Sequence, residues 1–135
     1  MIVADTSAIV AIILAEPERQ SFLDVMLRTK RILISSVSVV EGRMVVHARR
    51  GERGVIALND FLRLPFFEIV APGPLETDAA HAAFVTFGRG SGHPAALNFG
   101  DLFSYALAKT RGLPLLFKGD DFRATDLVSA LAEPL

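Results

Sequence analysis

Hydrophobic and polar positions along this chain change in short blocks. Ile2, Val3 and Ala4 open it with an apolar run; a chain end stays ordered mainly where it is tied into a sheet, so the run predicts a buried strand. Ala8 to Ala15 follows as an apolar helix, punctuated by Glu16-Pro17-Glu18, and Pro17 suits the first turn of a second helix reaching about Arg28. Within it Phe22, Leu23, Met26 and Leu27 form a helical stripe. Ile32 to Ile34, bounded by Lys30-Arg31 and Ser35-Ser36, predicts the next strand.

Val37 to Arg50 then carries Val39, Val40, Val45 and Val46 on one helical side, and Gly51 closes it. Val55 to Leu64 predicts another amphipathic helix before Pro65, and Phe67 to Val70 a third strand before the turn at Pro72-Gly73-Pro74. A helix opened by Glu76 or Thr77 runs to about Phe87, and the glycine-rich stretch Gly88 to Pro94 separates it from an apolar helix with Asp101 at its start that ends near Gly112. Leu113 to Phe117 is the last predicted strand, and Thr125 with Asp126 predicts the cap of a terminal helix, Leu127 to Leu131. Short strands alternating with helices predict an α/β fold, a mainly parallel sheet with helices on both faces.

Composition narrows the class. A chain of 135 residues suits one domain, and 51% hydrophobic residues with a mean hydropathy of +0.42 predict a packed core. No apolar run approaches the roughly 18 to 20 residues that span a bilayer, and no basic segment precedes the first apolar run, so neither a membrane span nor a secretory signal is expected. Cysteine is absent, which excludes disulfides and thiolate metal sites and fits a cytoplasmic setting. Net charge is only -1, so any pull on nucleic acid must be local. Arg43, Arg49, Arg50 and Arg53 form one basic group, and Lys109, Arg111 and Lys118 another; each reads either as a solvated face or as an RNA contact.

The candidate chemistry lies in carboxylates at element ends. Asp5 follows the first strand, Asp120-Asp121 follow the last, and in an open parallel sheet those ends meet at one edge. Glu41 and Asp101, near the starts of helices leaving that edge, can point there too. Each has a plainer alternative. Asp5 can cap a helix, Ser38-x-x-Glu41 matches a capping box, and Asp101 is favoured by a helix dipole. His93, alone in a loop, reads as ordinary surface, and Tyr105 as packing. Four carboxylates in one place would repel each other unless a divalent cation joined them. Oxygen-only ligands favour Mg²⁺ or Mn²⁺, and the fitting chemistry is phosphodiester hydrolysis.

These residues carry a family resemblance over essentially the whole chain: I-V-x-D-T-S-A at Ile2 to Ala8, S-x-x-x-x-E at Ser36 to Glu41, L-N-F-G-D-x-x-x-Y-A-x-A at Leu97 to Ala108, and L-L-F-K-G-D-D-F-x-x-T-D at Leu115 to Asp126. The sequence resembles PIN-domain ribonucleases, and within them the VapC toxins of toxin–antitoxin pairs. The resemblance implies a single PIN domain over residues 1–135, a three-layer α/β/α sandwich with about four to five short strands. It implies a Mg²⁺-dependent, or Mn²⁺-dependent, endoribonuclease that cuts transfer or ribosomal RNA and so inhibits translation. Asp5, Glu41 and Asp101 match the family's metal-binding acids, with a fourth in Asp120-Asp121. Thr6, Ser7 and Asn98 are supporting candidates; Arg43, Arg49, Arg50 and Lys118 are candidates for contacting RNA. A VapB-type antitoxin, a homodimer and a larger complex of the two are the implied partners. A phosphoacceptor receiver domain fits less well, because Asp5 is followed by Thr6 and no middle strand ends in Asp. A catalytically idle PIN scaffold is disfavoured by the presence of every acidic position.

Overall fold

Asp5 and the late acidic loop share one edge because the strands before them are neighbours. In the computed structural model, which describes residues 1–131, β1 (Ile2–Ala4), β2 (Ile32–Ser35), β3 (Phe67–Val70) and β4 (Leu115–Leu116) form one parallel sheet in the order β3-β2-β1-β4. Val3 pairs with Leu33 on one side and Leu115 on the other. The Asp5 N–H donates to the Leu116 carbonyl at 2.9 Å, carrying the β1–β4 ladder up to the acidic residue itself.

The two-residue period of the strands divides the core. Ile2, Ala4, Ile32, Ile34 and Leu116 face α1 (Thr6–Ile13), α2 (Arg19–Leu27) and α3 (Ser36–Leu62). Val3, Leu33 and Leu115 face α4 (Pro74–Phe87) and α5 (Phe99–Arg111) on the other side. Each fully buried side chain of this size contributes roughly 1.5–3 kcal/mol, so a sheet apolar on both faces is held only when helices cover both. The result is the expected three-layer α/β/α arrangement with a parallel sheet, of four strands among the described residues.

Several boundaries differ from the sequence pattern. The helix after β3 begins at Pro74, with Gly73 as its N-cap and the Glu76 carboxylate accepting from the Gly73 N–H at 3.0 Å; Pro74 loses nothing at a position whose N–H has no intrahelical partner. Gly51 breaks α3 with φ 66° and ψ -157°, but the chain re-enters the helix at once, so the two predicted helices run on as one kinked element. The last strand is only Leu115–Leu116. The predicted terminal helix Leu127 to Leu131 does not form: a 3₁₀ turn, Asp121–Ala124, is followed by a segment that lies along β4. There Leu115 N–H donates to Val128 O at 2.9 Å and Ala130 N–H to Leu115 O at 2.8 Å. The open edge of β4 offers unpaired backbone groups, and satisfying them outweighs the local helical preference.

The layers are locked at one polar point. Ser38 on α3 and Ser104 on α5 are buried with their hydroxyls 3.0 Å apart, and Thr6 Oγ1 on α1 donates to the Ser38 carbonyl at 3.2 Å. Ser38→Ala strands the Ser104 hydroxyl and should cost about 1–3 kcal/mol in urea unfolding, whereas Ser38→Ala with Ser104→Ala should recover part of the loss. Additive losses would show that the two hydroxyls do not satisfy each other.

Candidate active site

Asp5 is both a helix cap and something more. At the end of β1 its backbone is extended, and Oδ2 accepts from the Ser7 N–H at 3.0 Å and the Ser7 hydroxyl at 2.7 Å. The Ser7 Oγ accepts in turn from the Lys118 N–H at 2.9 Å, tying the first and last acidic loops together. Capping uses one carboxylate oxygen only. Oδ1 is buried without a hydrogen-bond partner, on a residue 2% exposed. Leaving a charged oxygen buried and bare is costly, and a cation reaching it would relieve that cost.

Glu41 is released from its expected backbone role. The N-cap of α3 is Ser35, whose hydroxyl accepts from the Val37 N–H at 3.2 Å, so Ser38 lies inside the helix and the Ser38-x-x-Glu41 capping box is not made. Ser35 takes the position because it ends β2 with the extended backbone an N-cap requires. The Glu41 carboxylate instead lies against the backbone of Gly100: a methyl group there would sit 2.5 Å from its carboxyl carbon and 2.7 Å from Oε1. Gly100 thus makes the room that lets Glu41 approach the start of α5. A glycine in the first turn of a helix, where no turn requires it, was the sequence signal for this contact.

At Asp101 both readings hold. Asn98 Oδ1 accepts from the Asp101 N–H at 2.9 Å and Asp101 Oδ2 accepts from the Asn98 N–H at 3.0 Å, a reciprocal capping box. Burial pushes the Asp101 carboxyl up to about 7; the Asn98 backbone bond pulls it down, and Asp5, Asp121 and Glu41 push it further up. Those three neighbours are the residues sequence spacing placed with it.

Asp5, Glu41, Asp101 and Asp121 line one cleft of about 290 Å³, with Thr6, Ser7, Asn98 and Lys118 beside them and Val10, Val45 and Phe122 as apolar wall. Asp121 opens the 3₁₀ turn. Asp120 does not join them: its side chain is 94% exposed, 3.6 Å from Arg123 Nε. Thr6 serves the α1–α3 contact rather than a cap. Ser7 and Asn98 hold Asp5 and Asp101 respectively. His93 accepts from the Ala95 N–H at 3.1 Å and packs edge-on against Phe87, an ordinary structural role. The Tyr105 hydroxyl donates to Asp126 at 2.6 Å, and its ring packs on Phe87.

The basic candidates separate. Lys109 pairs with Asp126 at 2.6 Å and Arg111 approaches Glu76 at 4.0 Å, both in the last turn of α5, so the loose group they formed with Lys118 in the sequence is not a surface patch. Lys118 borders the cleft, but its ammonium is paired with Glu16 and Glu18. Arg43 donates to Asn59 Oδ1 at 3.0 Å, while Arg49 and Arg50 are exposed on α3 outside the cleft lining.

The donor set is all oxygen and strongly acidic, which suits a hard divalent cation. Among the described residues no three of these side chains close on a single point as they stand. Asp5 and Asp101 each have one oxygen committed to the backbone, and Glu41 rests on Gly100. The bare Asp5 Oδ1 and the raised Asp101 pKa are nevertheless what a cation would relieve, so the residues fit such a group.

Comparison with known proteins agrees with the fold. The PIN domain family profile matches residues 2–127. Ribonuclease VapC30 of Mycobacterium tuberculosis (strain ATCC 25618 / H37Rv) is 43% identical over 127 residues, covering 94% of this chain and 96% of its own. Ribonuclease VapC of Mycolicibacterium smegmatis is 41% identical over 127 residues, covering 94% and 98%. Among solved structures, Mycobacterium tuberculosis VapC20, described as a sarcin-ricin loop cleaving toxin, superposes with a TM-score of 0.77 at 18% identity over 95% of this chain and 97% of its own. VapBC2 from Rickettsia felis, bound to a promoter DNA fragment, gives 0.74 at 20% identity over 96% and 97%.

Folding raises the Asp101 carboxyl from its ordinary 3.8 to about 7, so the folded chain holds that proton more tightly than the unfolded one. The associated stability is complete below about pH 4 and is lost as pH rises through 7. Without divalent cations, Asp101→Asn should therefore melt several degrees above the parent at pH 8, roughly the scale of a one or two kcal/mol change. The gain should vanish at pH 4. Thermal melts at both pH values measure this.

Proposed function

The chain belongs to the PIN-domain family, and on that premise we propose that it is a VapC-type toxin, an endoribonuclease that hydrolyses RNA phosphodiester bonds with Mg²⁺, or Mn²⁺, held by Asp5, Glu41, Asp101 and Asp121. The observation that carries the reading is Asp5: a buried carboxylate with one oxygen fixed by Ser7 and the other bare, in a cleft lined by three further carboxylates.

The chain's own residues prepare the reaction. Ser7 orients Asp5, and the Asn98 box sets Asp101 at the first turn of α5. Gly100 lets Glu41 reach the same cleft from α3, and Val10, Val45 and Phe122 form its apolar wall. A divalent cation bound there supplies neutralisation of charge on the phosphoryl oxygens and acidifies the attacking water. Water adds to phosphorus, one phosphorus–oxygen bond to the ribose breaks, and the leaving oxygen takes up a proton. A carboxylate of the cleft is placed to accept the proton of the attacking water.

The substrate class we favour is structured RNA, transfer or ribosomal, cut in the cytoplasm so that translation stops. No helix among the described residues is long and apolar enough to cross a membrane. The chain would act as one domain with two kinds of protein partner. Val40, Met44 and Phe99, exposed by 54%, 69% and 72%, border a groove of about 640 Å³ next to Glu41. An apolar surface of that kind supports burial against a second copy, giving a homodimer. A VapB-type antitoxin, covering the adjacent acidic cleft, would silence the enzyme and complete a larger complex.

Asp5→Asn removes a charged ligand but keeps a good helix cap. It should lower Mg²⁺-dependent cleavage of labelled RNA by roughly 100-fold or more while the melting temperature stays close to the parent's. Parental cleavage by this variant would refute the assigned site. Arg49→Ala with Arg50→Ala should weaken RNA binding more at low salt than at high salt in a filter-binding titration, since exposed charges act through screened contacts with phosphates. Equal loss at both salts would assign the two arginines to packing.

A further inference from the structure

Among the described residues Lys118 is the one cation lining the acidic cleft, and it also lines the neighbouring cavity of about 270 Å³ that Glu18 helps to form. Its ammonium is turned toward that second side. It lies 3.2 Å from Glu16 Oε1 and 3.3 Å from Glu18 Oε2, with the two glutamates only 26% and 39% exposed. Both raise the Lys118 pKa, Glu16 the more strongly, so the ammonium stays charged.

The way α1 ends sets up this contact. Ala15 adopts φ 53°, a left-handed conformation that a residue with a Cβ rarely takes, and the turn brings Glu16 round with its N–H on the Ala11 carbonyl at 2.8 Å. Pro17 then separates the two glutamates, and Arg19 Nε ties the start of α2 to the Ile12 carbonyl at 3.1 Å. The Ala15 N–H donates to the Ile12 carbonyl at 3.3 Å, which completes a Schellman cap, the usual place for a left-handed residue at a helix end. Here it delivers two carboxylates to one lysine about a hundred positions away in the sequence.

A lysine on the rim of four carboxylates has a competing position: inside the cleft, where it would cancel the charge that attracts a cation. We propose that Glu16 and Glu18 are positioning residues that hold Lys118 on the rim, leaving the cleft carboxylates free for the divalent cation and presenting the ammonium to a phosphate of the RNA. This rests on the reading of the cleft as a cation-dependent ribonuclease site. An ammonium is a compact point charge suited to a phosphate oxygen, and when substrate binds it exchanges one anionic partner for another.

Calorimetric titration of Mg²⁺ into the folded chain, beside RNA cleavage kinetics and melting curves, tests the proposal. Glu16→Gln with Glu18→Gln should weaken Mg²⁺ binding roughly 3- to 10-fold, as the released lysine turns to the cleft. Adding Lys118→Met to that pair should restore Mg²⁺ affinity to the parent value. Lys118→Met alone should keep Mg²⁺ affinity at or above the parent's and raise KM for RNA several-fold with a smaller change in kcat. A mere structural brace predicts the reverse for the triple variant, which would bind no better and melt lower than the pair. That result, unchanged Mg²⁺ affinity in the double variant, or a parental KM in Lys118→Met would each overturn the proposal. Asp5→Asn separates the two levels: if it kept both Mg²⁺ binding and cleavage, the cleft reading itself would fail whatever Glu16 and Glu18 do. Should the double glutamine variant not fold, the KM and Mg²⁺ affinity of Lys118→Met still decide.

Discussion

Buried carboxylates repel one another and resist leaving water, and the arrangement of this molecule turns on how it holds Asp5 and Asp101 in spite of that. Each is tied by one oxygen to the backbone at the first turn of a helix, Asp5 through Ser7 and Asp101 through Asn98. The helix N-termini supply positive potential to both. The compensation stops short of completion, because Asp5 Oδ1 has no partner and Asp101 keeps its proton up to about 7. A site that a chain could have neutralised with one arginine is instead left negative, which makes it receptive to a cation.

The fold supplies the meeting point by placing β1 between β2 and β4. With all strands parallel, the acidic residue after β1, the helix start after β2 and the acidic turn after β4 emerge at one edge. α5 enters from the other layer, and close contact with α3 becomes possible because Ser38, Ser104 and Gly100 are small. The polar contact that locks the layers and the gap that admits Glu41 therefore belong to the same helix crossing.

Charge around the cleft is distributed with equal economy. Lys109 and Arg111 are engaged by acids at the far end of α5, and Lys118 by two acids at the α1–α2 turn. A chain of nearly balanced charge thereby keeps a locally acidic cleft, since its nearest cation is already satisfied. The exposed apolar side chains Val40, Met44 and Phe99 lie beside this cleft, so burial of that face would also reshape access to the acids.

The amino-acid sequence alone determined most strands and helices, though not the segment after Asp126, and it placed a break at Gly51 and acids at element ends. These are choices made within a turn or two, where periodicity and backbone preference act. Tertiary structure decided between candidates that look alike locally. Ser35 rather than Ser38 caps α3 because β2 delivers it in an extended conformation, and Asp121 rather than Asp120 faces the cleft because of the 3₁₀ turn that follows. Residues 128–130 gave up a helical pattern to complete the edge of β4, and Lys118 took partners from the far end of the sequence. In each case the local preferences were nearly equal, and the balance was set by hydrogen bonds or charges that exist only after distant segments have packed together.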